Sequence, residues 1–470
     1  MHFMSNVLQA ASDKLQVYGM WLAAGSLLIS CQPSTSPKEE MTSVRLITVD
    51  PGHFHAALVQ KSMYDGVDSV VHVYAPAGPD VELHLGRIKG FNTRAENPTD
   101  WIEEVYTGDD FFEKMLSQKA GNVVVLAGNN QKKTEYISKS LGAGFHVLAD
   151  KPMAIDTKGF EVLKEAFASA KSNHVMLYDI MTERYEISTI LQKEFSQMPE
   201  VFGTLEEGTP ENPSVTKESV HHFFKYVSGN ILIRPPWFMD VTQAGEGIVD
   251  VTTHLVDLVQ WECYPDKIID VNKDIQLIKA KRWTTDMKRS EFQAITKLRD
   301  FPDYLKKDVV MDTILRVYCN GEIDYKLKNV HARVSVRWNY KAPEGAGDTH
   351  YSIMRGSKSS LIIQQGAEEQ YKPTLYIQPL TNDESFSKML AEQIKKIQAD
   401  HPGVELKKSE KGWEVVIPEQ YREGHEAHFA RVMQKFLEYV RNGSIPDWEV
   451  PNMIAKYYTT TQALELAKQK

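Results

Sequence analysis

From Val44 onward the chain alternates short apolar runs with stretches of helical period. Val44-Arg-Leu-Ile-Thr-Val49 predicts a buried strand, Phe54 to Tyr64 a helix, and Val70-Val-His-Val-Tyr74 a second strand. Val123-Val-Val-Leu-Ala127 predicts a third, followed by a helix through Leu141 and a fourth strand, Phe145-His-Val-Leu-Ala149. A helix from Thr157 to about Ser172 and a fifth strand, His174-Val-Met-Leu-Tyr178, complete the series. Strands that are apolar on both faces and spaced by helices imply βαβ units and a parallel sheet covered on both sides. Ligands of such sheets bind beyond the carboxyl ends of the strands.

Past about residue 181 the pattern changes. A helix over Ile187 to Gln197 precedes runs that alternate apolar and polar positions, as in Asp312–Tyr318, His331–Arg337, His350–Met354 and Ser360–Ile363. Period-two alternation predicts an antiparallel sheet with one wetter face. A helix from about Glu426 to Arg441 and another near the C-terminus close the chain. The expected fold is α/β: a doubly wound Rossmann-type parallel sheet over 44–180, then an α+β domain over 181–470 with a large, mostly antiparallel open sheet.

The first residues obey neither pattern. Tyr18 to Ser30 is an apolar run too short to span a bilayer but suited to the core of a signal peptide, and it ends in Leu28-Ile-Ser-Cys31, which resembles a bacterial lipobox. Residues 1–31 are therefore expected to be a lipoprotein signal peptide with Cys31 as the lipidation site. The Pro/Ser/Thr-rich stretch 32–43 is read as a flexible tether. Export with a lipid anchor as the sole membrane attachment follows, periplasmic or at the cell surface. With 470 residues, 25% charged, and a net charge of −9 without a basic run, nucleic acid is excluded as a partner.

The stretch with the most chemistry is Gly245-Glu-Gly-Ile-Val-Asp-Val-Thr-Thr-His-Leu-Val-Asp257. Steps of four and three place Asp250, His254 and Asp257 on one helical face. A carboxylate one turn from an imidazole can fix its tautomer and raise its basicity, a plausible proton-transfer pair. Upstream, Lys151 stands at the carboxyl end of a strand, and Pro152 restricts it to an extended conformation aimed into the ligand crevice. His221-His222 invites a metal with His254 and Asp250, but those spacings match no standard zinc pattern, so no metal is expected.

The first strand-to-helix turn is Asp50-Pro-Gly-His-Phe-His55. A dinucleotide turn has Gly-x-Gly-x-x-Gly there, and Gly52 alone remains. The second strand runs into Ala75-Pro76, with no acid for a ribose hydroxyl. Asp50, about 4 Å from a phosphate, would cost roughly 1–4 kcal/mol, so it must point away or the cofactor pose differs.

Asp150-Lys151-Pro152, together with Gly-x-Gly-x-x-Asp-x-x-x-His-x-x-Asp over 245–257, resembles the Gfo/Idh/MocA oxidoreductases, which carry Glu-Lys-Pro at a strand end and a helix with Asp and His four apart. The similarity runs from about Val44 to Leu258. Departures are the missing glycines at 50 and 55, Asp150 for Glu, Gly128-Asn129-Asn130 for Thr-Pro-Asn, and Lys133 for a common His.

The resemblance implies NAD or NADP as cofactor, contacted by Gly52, His53, Phe54, Asn130 and Lys151. It implies Lys151, His254 and Asp250 as catalytic residues, His254 taking a hydroxyl proton while hydride leaves for the nicotinamide. Arg184, Trp237 and Asp257 are the expected substrate contacts, Trp237 by stacking on a sugar ring. The expected activity is oxidation of a sugar, polyol or glycoside hydroxyl. Since no free nicotinamide pool exists outside the cytoplasm, export implies a tightly held cofactor recycled in each turnover. A homo-oligomer is expected from the family. The competing readings are a redox-inactive carbohydrate-binding lipoprotein and a metal-assisted hydrolase.

Overall fold

Six short strands build the first layer: β1 Leu46–Val49, β2 Val70–Ala75, β3 Ile102–Thr107, β4 Val123–Leu126, β5 His146–Asp150 and β6 Leu177–Ile180. All pair in parallel, in the order β3-β2-β1-β4-β5-β6. This computed structural model describes residues 43–227, 230–381 and 383–469; the expected signal peptide with Cys31, and the expected tether up to residue 42, lie outside them. Every residue of β1, β4 and β6 is buried, which is why these strands read as unbroken apolar runs. Their side chains and those of the covering helices form one apolar core.

Five strands were expected here and six are present. β3 escapes apolar pattern reading because it is the sheet edge: Ile-Glu-Glu-Val-Tyr-Thr keeps Ile102 and Val105 exposed. The helices Pro79–Thr93 and Phe111–Gln118 flank it.

The second layer is a ten-stranded sheet. Starting from one edge, its strands are Ile275–Lys288, Ile314–Leu327, Val330–Lys341, Val215–Phe224, Thr349–Arg355, Ser359–Gln364 and Thr374–Pro379, in that spatial order, with shorter strands beyond. Val330–Lys341 pairs in parallel with Val215–Phe224, and the other pairs are antiparallel. Val330–Lys341 alternates buried and less buried positions over most of its length, the signature of a sheet with one packed face.

The helices His425–Asn442 and Glu449–Lys468 return to the first layer, where Phe429, Met433, Phe436 and Tyr457 join its core. Ala455, Ala463 and Leu464 of the last helix pack into the core under the second sheet. The last helix is thus shared between the two cores, and its polar residues knit them together. Lys456 Nζ lies 2.7 Å from Asp179 Oδ2 and 2.8 Å from Asp257 Oδ1. Arg184 grips Asp257 with Nε and Nη2 at 2.6 and 2.7 Å and reaches Glu449 at 3.0 Å.

Candidate functional site

A cavity of about 1640 Å³ opens at the carboxyl ends of β1, β4 and β5 and reaches across to the second sheet. The residues following these strands supply part of its wall: His53, Phe54 and His55 after β1, Gly128 and Asn130 after β4, Lys151 after β5. The opposite wall comes from Val215–Phe224, the segment 341–349 and the start of the helix His425–Asn442.

The helical stretch at the heart of the sequence is built as two segments, Gly247–Asp250 and Thr252–Cys263, joined at Val251. Gly247 permits the first to press on the second sheet, since a Cβ there would stand 1.8 Å from the carbonyl oxygen of Cys319. Asp250 and His254 face the cavity. Asp250 Oδ1 accepts from Lys151 Nζ at 2.7 Å, so the Asp-Lys-Pro corner and the helix meet across the crevice. The Lys151–Pro152 peptide is cis.

The expected Asp250–His254 pairing does not form. Asp250 is taken by Lys151, and Nδ1 of His254 is buried without a hydrogen-bond partner among the described residues. Burial, and then the neighbouring Lys151 ammonium, push His254 well below the ordinary imidazole range. A neutral imidazole against a cavity wall is equipped to accept a proton from a bound ligand.

Two expected substrate contacts are displaced. Arg184 and Asp257 belong to the buried ion network and do not line the cavity. Asp257 stands on the same helical face as Asp250, but two turns, about 10 Å, further along the axis, which sinks it beneath the floor. Burial alone would raise its pKa; Arg184 and Lys456 outweigh that and hold it well below the usual carboxylate range. Trp237 does line the cavity, with its Nε1 donating to Asp80 Oδ2 at 2.8 Å. Asn130 also lines it while tying the two layers together: its N–H donates to Gln243 O at 3.0 Å and its Nδ2 to Ala244 O at 2.6 Å.

Several pairings in and around the cavity lay outside the sequence reading. Asp150 receives Nδ1 of His53 at 3.2 Å and Nδ1 of His55 at 3.0 Å. A His-x-His pair in the turn after a strand is the available signal, in a turn whose position otherwise belongs to glycines. Lys133, fully buried, donates to the main-chain oxygen of Asp150 at 2.9 Å, and burial lowers its pKa to about 8. Glu183 is raised to about 7 by burial and by the nearby Glu186. His221 and His222 both turn to Asp348, at 3.2 and 3.1 Å, with Lys225 Nζ at 2.9 Å from the same carboxylate. The metal set imagined from His221, His222, His254 and Asp250 is therefore not gathered.

Residues 191–468 match the family model described as "Putative oxidoreductase C terminal domain", and residues 85–179 match "Oxidoreductase family, NAD-binding Rossmann fold". The chain belongs to the Gfo/Idh/MocA oxidoreductase family. A crystal structure described as a "putative oxidoreductase" from Parabacteroides merdae is 58% identical, superimposes with a TM-score of 0.89, and covers 91% of this chain and 98% of its own. Levoglucosan dehydrogenase in complex with NADH and L-sorbose shares the fold at 12% identity and a TM-score of 0.58, over 91% of this chain and 98% of its own. GenD2 from gentamicin A biosynthesis, in complex with NAD, does so at 16% identity and a TM-score of 0.55, over 91% and 95%. No curated protein sequence matches.

The Gfo/Idh/MocA match on the Rossmann fold begins at residue 85, beyond the first turn, and that turn does not fit a dinucleotide's diphosphate. In a nucleotide turn the glycines let the backbone approach the phosphates, and free N–H groups at the helix start hold them. Here the N–H of Gly52 donates to Asp50 O at 2.8 Å and that of His53 to Ala127 O at 3.0 Å. A Cβ on Gly52 would meet the Asp80 carboxylate at 2.8 Å and the Trp237 ring at 3.0 Å, so the face meant for phosphate is covered. Burial, then the charge of Asp80, raise Asp50 to about 6, leaving two carboxylates where a cradle needs none. Gly52 and His53 thus fail as a diphosphate cradle, while at the other end Lys151, Asp250 and His254 line one cavity.

Proposed function

We propose that this chain is a carbohydrate-acting enzyme in which Lys151, Asp250 and His254 move a proton at a hydroxyl group of a sugar or glycoside, or at the carbon beside a sugar carbonyl. The observation that carries this reading is the 2.7 Å Lys151–Asp250 pair standing at the same cavity wall as a neutral, unpartnered His254. The lysine ammonium polarises the substrate oxygen, Asp250 holds the ammonium in place, and the imidazole takes or returns the proton. Positioned acid–base groups of this kind contribute typically ~10²–10⁴-fold in rate.

A glycoside or short oligosaccharide suits the cavity better than a free monosaccharide. About 1640 Å³ exceeds the ~300–1,000 Å³ of an ordinary small-ligand pocket. Trp237, Phe238, Trp338 and Tyr371 offer apolar faces for the C–H surfaces of sugar rings. The levoglucosan dehydrogenase and GenD2 relatives lend this class of substrate further support. Since the first turn does not fit a diphosphate, the chemistry assigned to these residues is confined to protons. An exported, lipid-anchored form remains part of the reading, resting on residues 18–31 alone.

Incubating the chain in D₂O with a panel of keto derivatives of glycosides, and following exchange of the ring proton beside the carbonyl by NMR, tests the assignment. Exchange that disappears in Lys151→Met and His254→Ala is expected. Exchange at the parent rate in both variants would overturn it.

A further inference from the structure

We infer that His53, His55 and Asp150 form a site for one divalent transition-metal ion of the Mn–Zn series, opening into the same cavity as Lys151 and His254. The site stands independently of the proton-transfer reading. One ligand atom from each residue lies within 4.8 Å of the other two. Nδ1 of His53 is 3.2 Å from Asp150 Oδ2, and Nδ1 of His55 lies 3.0 Å from Oδ2 and 3.1 Å from Oδ1. Two ligand atoms each about 2.1 Å from one metal stand about 3.0 Å apart at right angles and about 3.4 Å apart in a tetrahedron, so the spacings need little adjustment. Two imidazoles and one carboxylate leave coordination positions open, the arrangement of metal sites that bind substrate.

Charge distinguishes this cluster from an ordinary hydrogen-bonded trio. Asp348 also faces two imidazoles, but Lys225 Nζ neutralises it at 2.9 Å. Asp150 has no ammonium at ion-pair distance among the described residues. Lys133 is spent on the main-chain oxygen of Asp150, and Lys151 on Asp250. A buried carboxylate is costly unless a cation or a full set of donors meets it, and the two rings point the same nitrogen at it from one side. The missing third glycine of the turn acquires a reason: residue 55 is a ligand rather than a spacer. An ion here would present an open position to a substrate oxygen and polarise it as a Lewis acid.

The probe is Co²⁺ added to the chelator-treated full chain, read by visible d–d absorption, with Zn²⁺ followed in parallel by calorimetry. One equivalent is expected to bind, and His53→Ala, His55→Ala and Asp150→Asn each to lower affinity about a hundredfold or more, since even supporting residues around a metal cost 10–100-fold when removed. His221→Ala and Lys151→Met are expected to bind as the parent does, the latter even if it loses all proton exchange. In the parent itself, Zn²⁺ is expected to shift the ¹⁵N resonances of two of the 15 histidine rings, a measurement that does not depend on any variant folding. Absence of saturable uptake by the parent, or uptake undiminished in all three ligand variants, would overturn the site.

Discussion

The two ends of the crevice above the first sheet have diverged in opposite senses. At the β5 end, Lys151 meets Asp250 at 2.7 Å, in place of the forecast Asp250–His254 pair, and Nδ1 of His254 has no partner among the described residues. At the β1 end, in the turn that should receive a dinucleotide, the N–H groups of Gly52 and His53 are spent on Asp50 and Ala127, and the glycine is covered by Trp237 and Asp80. The two ends differ although they touch: His53 and His55 of the β1 turn bond to Asp150, the residue beside Lys151.

The largest expected effect is on chemistry at the β5 end. His254→Ala and Lys151→Met should each lower turnover by about 10²–10⁴-fold with thermal unfolding unchanged, measured by exchange or product formation. If the same loss followed from a substitution confined to Asp80, the two ends would not be separable.

Next comes the network beneath them. Asp257→Asn strips one carboxylate from Arg184 and Lys456 and leaves buried cations unpaired, at a cost of about 3–5 kcal/mol in denaturant unfolding. A change within 0.5 kcal/mol would return Asp257 to a role in ligand binding.

Gly52→Ala separates a packed turn from a phosphate cradle. The new methyl collides with Asp80 and Trp237, so a loss of about 1–3 kcal/mol is expected. Asp80→Ala in the same chain should recover most of it. A cradle waiting for phosphate would show no such rescue.

The smallest effect is in pH dependence. The folded chain holds the Asp50 proton up to about 6, against an ordinary 3.8. Between these values the folded state binds more protons than the unfolded one, so stability falls as pH rises from about 4 to about 6. Asp50→Asn, which tolerates the left-handed backbone at this position (φ 46°), should remove that fall, a difference of about 1–2 kcal/mol between pH 4 and pH 7 by chemical denaturation.

What could be read from residues follows the same division. Buried parallel strands announce themselves as runs such as Val123-Val-Val-Leu, and motif spacing placed Lys151, Asp250 and His254 at one crevice. The edge strand Ile102–Thr107 was invisible because both its aliphatic residues, Ile102 and Val105, face solvent. Asp257 was misassigned because helical phase fixes direction but not depth. The His53–His55–Asp150 cluster joins residues 95 and 97 positions apart; the His-x-His half was on the page, while its carboxylate was hidden inside a motif already given another meaning.

NADH fluorescence titration of the purified full chain addresses the contrast between the two ends most directly. With the first turn closed, no saturable binding below the millimolar range is expected. Stoichiometric binding in the micromolar range, or nucleotide released in equimolar amount on denaturing the protein as purified, would contradict it.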